Sequence, residues 1–277
     1  MLSVFLEVAI MFLLQKEENN NFLEVEYVLI KDLLNSSKQK YIEISKKDLF
    51  LLKPETFLEK YNDTAKKCIP IGTIEFTNEF FKFFYNIDKI YPIEVPNCLR
   101  TDEFLKRKYS IVSGENVPQS GRYFIKDVSN LKSFTYIGEL SNFFNDSEEK
   151  TFDLPNIISE NLYQVSEIID IISEYRVYVL NNKVYAIAFY DGNPSIFPDV
   201  KIINKAIVTY SIEKDCPRSY TMDIAITKNG TCILEVHPFF SCGIYQTVLG
   251  NDFLDGYKDA LTYVTKFNRL TEKFSNF

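Results

Sequence analysis

The sequence has no tryptophan and a single histidine, His237, in 277 residues. A lone histidine more often serves structure than catalysis, and no nucleophile elbow surrounds any serine or cysteine. Both facts argue against Ser-His-Asp or Cys-His chemistry. The Walker A phosphate loop and the GxGxxG fingerprint are missing as well. The five cysteines (Cys68, Cys98, Cys216, Cys232 and Cys242) are odd in number, widely spaced and form no CxxC pair. Neither a disulfide framework nor a zinc site is indicated, and a reducing, cytoplasmic setting is expected. Positive charge is scarce: the net charge is −7 and the pI about 5.0, which argues against a general nucleic-acid surface but allows local basic pockets. Long apolar runs are scarce too. Leu2 to Leu14 carries Glu7, lacks a basic leader and is too short to cross a bilayer as a helix, so no membrane partner is expected and the run reads as buried strand. Internal repeats and low-complexity tracts are absent.

What is present is a sequence able to fold. Hydrophobic residues make up 46% of it, with 24 Phe and 18 Tyr, enough for one large domain or two to three lobes. Leu23 to Ile30 and Tyr41 to Ile44 read as strands, and Ile69 to Phe76 as a strand entering a helix from about Asn78 to Tyr85. Pro92 and Pro96 break this alternating pattern, which places a boundary near residue 98 and a polar helical segment at Thr101 to Tyr109. Gly121 to Val128 is a strand followed by a polar turn, Ser129 to Lys132, and Ser141 to Lys150 reads as a loop. Leu162 to Val165 is a strand, and Glu174 to Leu180 with Val184 to Tyr190 forms a hairpin about Asn181-Asn182. Val200 to Ile212 and Leu254 to Phe267 carry apolar residues at helical spacing.

The most telling stretch is a second hairpin, Thr221 to Ala225 and Thr231 to Pro238, about Asn229-Gly230. With Lys228 opposite Thr231, Asp223 and Glu235 are diagonal neighbours, and one bulge would bring both to one face. Acids on an apolar strand need partners, and a hard divalent cation bound to phosphate oxygens accepts several at once. An exposed pair of strand-end acids is the plainer alternative. His237, two residues beyond Glu235, shares its strand face. Lys126 and Lys132 flank a strand end, and Arg176 lies on a later strand. Together they complement the acids, cations for phosphates and acids for metal, although each alone fits an ordinary surface charge.

In the order Phe124-Ile-Lys126, Lys132-Ser-Phe, Ser166-Glu167, Glu174-Tyr-Arg176-Val-Tyr-Val, Asp223 and Leu234-Glu235-Val-His237-Pro-Phe-Phe, the sequence resembles the ATP-grasp fold. More narrowly it is similar to the clade characterised by one arginine and two lysines. Ile69-Pro-Ile-Gly-Thr-Ile-Glu-Phe and Val95-Pro also resemble that clade, so the likeness covers roughly residues 65 to 250. It implies an α/β (α+β) ATP-grasp architecture: an N-terminal α/β lobe (1–98), a central lobe bearing the lysines (99–165) and a C-terminal lobe with the metal hairpin (166–277), the nucleotide lying between the last two.

The resemblance also assigns roles. Lys126 would contact the α and β phosphates, and Lys132 would lie in a loop closing over ATP. Glu167 and Ile168 would meet the adenine edge through backbone groups, and Glu174 would accept from the ribose hydroxyls. Arg176 would neutralise the phosphoryl group in transfer. Asp223 and Glu235 would ligate Mg2+, and His237 stands where these proteins usually carry Asn. That departure leaves three options. His237 ligates a softer ion such as Mn2+, or turns away from magnesium while water completes the shell, or marks lost turnover with binding retained. The expected reaction joins a small-molecule or peptide carboxylate to an amine through an acyl phosphate. A kinase on the same fold and a non-catalytic interaction or immunity module are its rivals.

Overall fold

The structure, a computed structural model, describes residues 11–16, 24–45, 49, 68–88, 90, 92, 94–128, 135–140, 157–241, 243–245 and 249–274. The expected turn with Lys132, the expected loop at Ser141 to Lys150, the first part of the Leu2 to Leu14 run and Cys242 lie outside the described residues. Three sheets organise the chain, each followed below in sequence order.

The first sheet holds β1 (Met11–Lys16), β2 (Lys40–Ser45) and β3 (Cys68–Ile71) in the order β2-β1-β3, all parallel. Parallel neighbours need a crossover, and the link from β1 to β2 is helix α1 (Glu24–Ser36). This corrects the expected strand at Leu23 to Ile30. The alternation of Leu23, Val25 and Tyr27 imitates a strand, but Tyr27, Ile30 and Leu34 also fit a helical face, and Ile30 and Leu34 are buried in the core. The strand after Cys68 is also shorter than expected. Helix α2 (Ile74–Tyr85) starts early because the Thr73 hydroxyl accepts the Phe76 N–H as a cap. Phe76, Phe80 and Phe81 then bury one face of α2, and this core continues into Phe239, Phe240, Phe253 and Tyr257.

Instead of a helix spanning Thr101 to Tyr109, a single turn α3 (Asp102–Leu105) ends at Lys106, whose φ of 53° is left-handed and reverses the chain. The second sheet then begins directly. It holds β4 (Tyr109–Ser113), β5 (Arg122–Asp127), β6 (Thr135–Glu139) and β7 (Leu162–Glu167), antiparallel in the order β4-β7-β5-β6. Period-two alternation sends Ile125, Tyr163 and Val165 into a core with Val117 and Leu140. Phe124 and Lys126, opposite Ser166 and Gln164, are left on the other face.

The third sheet holds β8 (Ser173–Leu180), β9 (Lys183–Gly192), β10 (Tyr220–Thr227) and β11 (Gly230–Pro238), antiparallel in the order β11-β10-β8-β9. Asn181 and Asn182 both adopt positive φ (50° and 58°), the primed turn that matches strand twist in a two-residue hairpin. The β10–β11 turn differs from expectation. Thr227 pairs with Gly230, so Lys228-Asn229 is the loop, and only Gly230 (φ 99°) takes the left-handed conformation. One face of this sheet packs Tyr220, Met222, Ile224, Ile233 and Val236 against helix α4 (Val200–Ser211), each apolar side chain contributing roughly 1.5–3 kcal/mol. The expected helix at the C-terminal end is α5 (Phe253–Phe274). Among the described residues no helix is long and apolar enough to cross a membrane. Cys68, Cys98, Cys216 and Cys232 are unbonded thiols.

Candidate active site

The polar faces of the second and third sheets meet at a cleft of about 350 Å³, lined by Phe124, Gln164, Ser166, Glu174, Asp223 and Glu235 among others. Its floor is a row across the third sheet. Ala188 of β9 faces Arg176 of β8, Arg176 faces Asp223 of β10, and Asp223 faces Glu235 of β11. The direct opposition of the two acids replaces the expected diagonal. The ladder pairs Ile224 with Ile233 and then Asp223 with Glu235, leaving Leu234 as an extra, bulged residue. A second bulge in β9 leaves Tyr190 unpaired between Phe189 and Asp191.

Electrostatics tie the row together. Arg176 donates in parallel from Nε to Asp223 Oδ1 and from Nη2 to Oδ2, both 2.8 Å, and both side chains are buried. Lys126 Nζ reaches across the cleft to Glu235 Oε1 at 2.8 Å, linking the two sheets. His237 Nε2 lies 2.7 Å from Glu235 Oε2 and 3.4 Å from Asp223 Oδ2. Burial alone would raise the pKa of both acids. Hydrogen bonds from Arg176 and His237 outweigh it at Asp223, and His237 with Lys126 outweighs it at Glu235, so both carboxyls are held below their ordinary values. At His237 burial favours the neutral ring, but the two acids prevail and raise its pKa.

Glu174 shares its strand face with Arg176 and accepts the Tyr190 hydroxyl; burial raises its pKa more than that bond lowers it. Tyr190 stacks on Tyr245 (4.9 Å between ring centroids, 20° between planes), and the Arg176 guanidinium lies 4.9 Å from the Tyr245 centroid. Glu167 is held by Lys108, whose backbone N–H donates to Glu167 Oε2 at 2.9 Å while the Glu167 N–H donates to the Lys108 carbonyl at 3.1 Å. Ile168 lines the cleft beside it. The structure thus brings together Lys126, Glu167, Ile168, Glu174, Arg176, Asp223, Glu235 and His237.

Several functional candidates carry no sequence motif. Gln164 and Ser166 were discoverable from polar residues alternating with Tyr163 and Val165. Tyr190, Tyr245 and Arg107 had no local signal, because bulges and long-range contacts bring them in. Glu26 is another. Its Oε1 accepts the Ile244 N–H at 3.0 Å, and it lines a second, smaller cavity with Gln15, Tyr27, Thr73 and Tyr257. Burial raises the pKa of Glu26 above the ordinary value, against the Ile244 bond and the Arg176 charge. The folded state therefore binds this proton more tightly than the unfolded chain. Stability should fall as pH rises from about 4.3, the ordinary glutamate value, through the raised folded value. Denaturant titrations of wild type and Glu26→Gln at a series of pH values check this, and parallel pH dependences would sink it.

The donor set suits a divalent cation. Asp223, Glu235 and His237 each offer one atom, all within 4.8 Å of one another, and the buried Thr221 Oγ1 opposite His237 has no hydrogen-bond partner among the described residues. Two carboxylate oxygens and one imidazole accommodate magnesium completed by water, or a softer ion.

Comparison with known proteins agrees with this geometry. D-alanine–D-alanine ligase from Bacillus anthracis, in complex with ATP, superposes with a TM-score of 0.51 at 12% identity, over 96% of this chain and 99% of that chain. A second structure of that ligase gives a TM-score of 0.53 at 11% identity over the same shares. A RimK domain ATP-grasp protein from Sphaerobacter thermophilus DSM 20745 matches at 0.48, with 11% identity over 93% of this chain and 98% of that one. No curated protein matches the sequence significantly. At such identities the likeness speaks to the fold, which is the ATP-grasp fold. The model of an ATP-grasp domain family, the second family of the clade named for one arginine and two lysines, matches residues 104–255, more than half of the sequence, and the chain belongs to that family.

Proposed function

We propose that this protein is an ATP-dependent carboxylate–amine ligase that activates the carboxylate as an acyl phosphate. The observation that carries the reading is the row Arg176–Asp223–Glu235 facing Lys126 across a cleft of about 350 Å³. ATP would lie between the lobes spanning 99–165 and 166–277. Its base would sit among Phe124, Ile168 and Leu234 beside the Glu167 backbone, and its ribose near Glu174. Lys126 would exchange its Glu235 partner for phosphate oxygens, and Lys132 would bring a second cation to them.

Asp223, Glu235 and His237 would hold a divalent cation, Mg2+ with Mn2+ as the softer option, which when bound neutralises charge on the phosphates. Arg176 keeps one nitrogen, Nη1, outside its bidentate bond to Asp223, within 3.5 Å of where a side chain on Gly243 would begin. That position suits a planar donor meant for the phosphoryl group in transfer. The smaller cavity beside Glu26 lies on the far side of this arginine, and a carboxylate there is a natural partner for the ammonium of an amine acceptor.

Calorimetry with ATP in magnesium and then manganese, followed by ADP release against pooled amino acids and small carboxylic acids, tests the reading. Metal-dependent binding with substrate-stimulated ADP release is expected; no nucleotide binding under either metal would overturn it. A stable phosphorylated product without condensation would assign a kinase instead. A non-catalytic module is favoured by one observation, the His237 ring only 2.7 Å from Glu235. It predicts binding without ADP release, and hydrolysis restored by His237→Asn. Lys126→Met should weaken ATP binding at least tenfold, because one charge-assisted bond to phosphate contributes about 1.5–3 kcal/mol. Unchanged affinity would remove Lys126 from the phosphate site.

A further inference from the structure

Arg107 is a buried cation that the roles above leave unused. It follows the left-handed turn at Lys106, lines the nucleotide cleft and aims at the outer edge of β11. Its Nη1 donates to the Ile233 carbonyl at 2.8 Å and the Leu105 carbonyl at 3.1 Å, and its Nη2 to the Leu234 carbonyl at 3.3 Å. In a regular strand consecutive carbonyls point to opposite edges, so one guanidinium fork does not reach two in succession. Here it does, and the two carbonyls belong to the residue before the bulge and the bulged residue itself.

The consequence lies one residue further on. If the ladder from Ile224–Ile233 continued without the bulge, Asp223 would face Leu234, and Glu235 would fall on the opposite face of the sheet with Met222. The acids share a face because Leu234 is inserted, and the insertion turns carbonyls away from the ladder. Buried carbonyls without donors are costly, and β11, as the edge strand, has no outer neighbour to supply them. The fork of Arg107, anchored on Leu105 at the end of α3, supplies them.

We infer that Arg107 is a positioning residue that holds the Leu234 bulge and thereby keeps Glu235 opposite Asp223 in geometry fit for a divalent cation. This rests on the proposed metal role of those acids. Its partner chemistry is the protein's own backbone, and its effect on the cation is indirect. A lysine is a poor replacement, because a single ammonium lacks the planar fork that meets two carbonyls together.

The test is Mn2+ affinity in the presence of ADP, followed by electron paramagnetic resonance, for wild type, Arg107→Ala, Arg107→Lys and Glu235→Gln, with thermal melts of each. Arg107→Ala should bind Mn2+ at least tenfold more weakly than wild type, Arg107→Lys should be intermediate, and methylguanidinium should restore part of the loss in Arg107→Ala. Should the alanine variant fail to fold, Arg107→Lys carries the comparison. A lowered melting temperature with Mn2+ affinity within twofold of wild type in the folded variants would make Arg107 merely structural and overturn the inference. Glu235→Gln separates the two levels. If it too retains wild-type Mn2+ affinity, the metal reading itself fails; if it loses the ion while the Arg107 variants keep it, only the positioning role fails.

Discussion

Arg176→Met should destabilise the protein by about 3–5 kcal/mol, with Asp223→Asn costing a similar amount, and the double variant should recover much of the loss. The two side chains are 8% and 7% exposed and share two hydrogen bonds of 2.8 Å. Removing either partner leaves a charge in a site with little water to solvate it. Removing both leaves a neutral pair of similar shape. Tyr245, 4.9 Å from the guanidinium, adds a smaller term that only the arginine variant loses. Denaturant unfolding of the two single variants and the double variant forms the measurement, and additive losses would show that the pair is not coupled.

Glu235→Gln is the second. ATP turnover should fall by about 10³-fold, some 4 kcal/mol in the barrier, while the fold survives. The substitution is nearly isosteric: its amide oxygen can still accept from Lys126, and the Asp223–Arg176 pair is untouched. What disappears is one of two negative charges able to neutralise a metal ion at the row's end. The measurement is substrate-stimulated ADP release beside an unchanged thermal melt. Turnover within tenfold of wild type would take Glu235 out of the metal site.

The two variants differ in what they probe. Arg176 and Asp223 already satisfy one another in the absence of nucleotide, so their substitution is felt in stability first. Lys126, Glu235 and His237 sit at a more open edge of the same row, with Glu235 28% exposed, and are better placed to exchange partners when phosphate and metal arrive. A site of this kind is assembled before its ligands, the acids held ionised by cations that the ligands would later replace.

Much of this arrangement was legible along the chain because it is local. Period-two alternation marks β8 to β11, helical spacing marks α4 and α5, and Asn181-Asn182 announces its hairpin. The order of lysine, arginine and acids resembles one clade closely enough to name the candidate residues. Local pattern misled where two periodicities coincide, as at Leu23 to Ile30, and where a short polar stretch imitates a helix, as at Thr101 to Tyr109. In the first case the parallel pairing of β1 with β2 demanded a crossover, which no property of those eight residues expresses.

Sequence by itself determined which side chains could do the chemistry and on which strands they stand, since residue type and short-range periodicity are properties of neighbouring positions. Tertiary structure decided which of them meet. The Leu234 bulge turned a diagonal pair of acids into an opposed one, Arg107 reached it from more than a hundred residues away, and Tyr190 and Tyr245 closed around Arg176. The physical reason is that a ladder's register is chosen by the energy of the whole packed sheet: buried carbonyls must find donors and buried charges must find partners, wherever along the chain these lie.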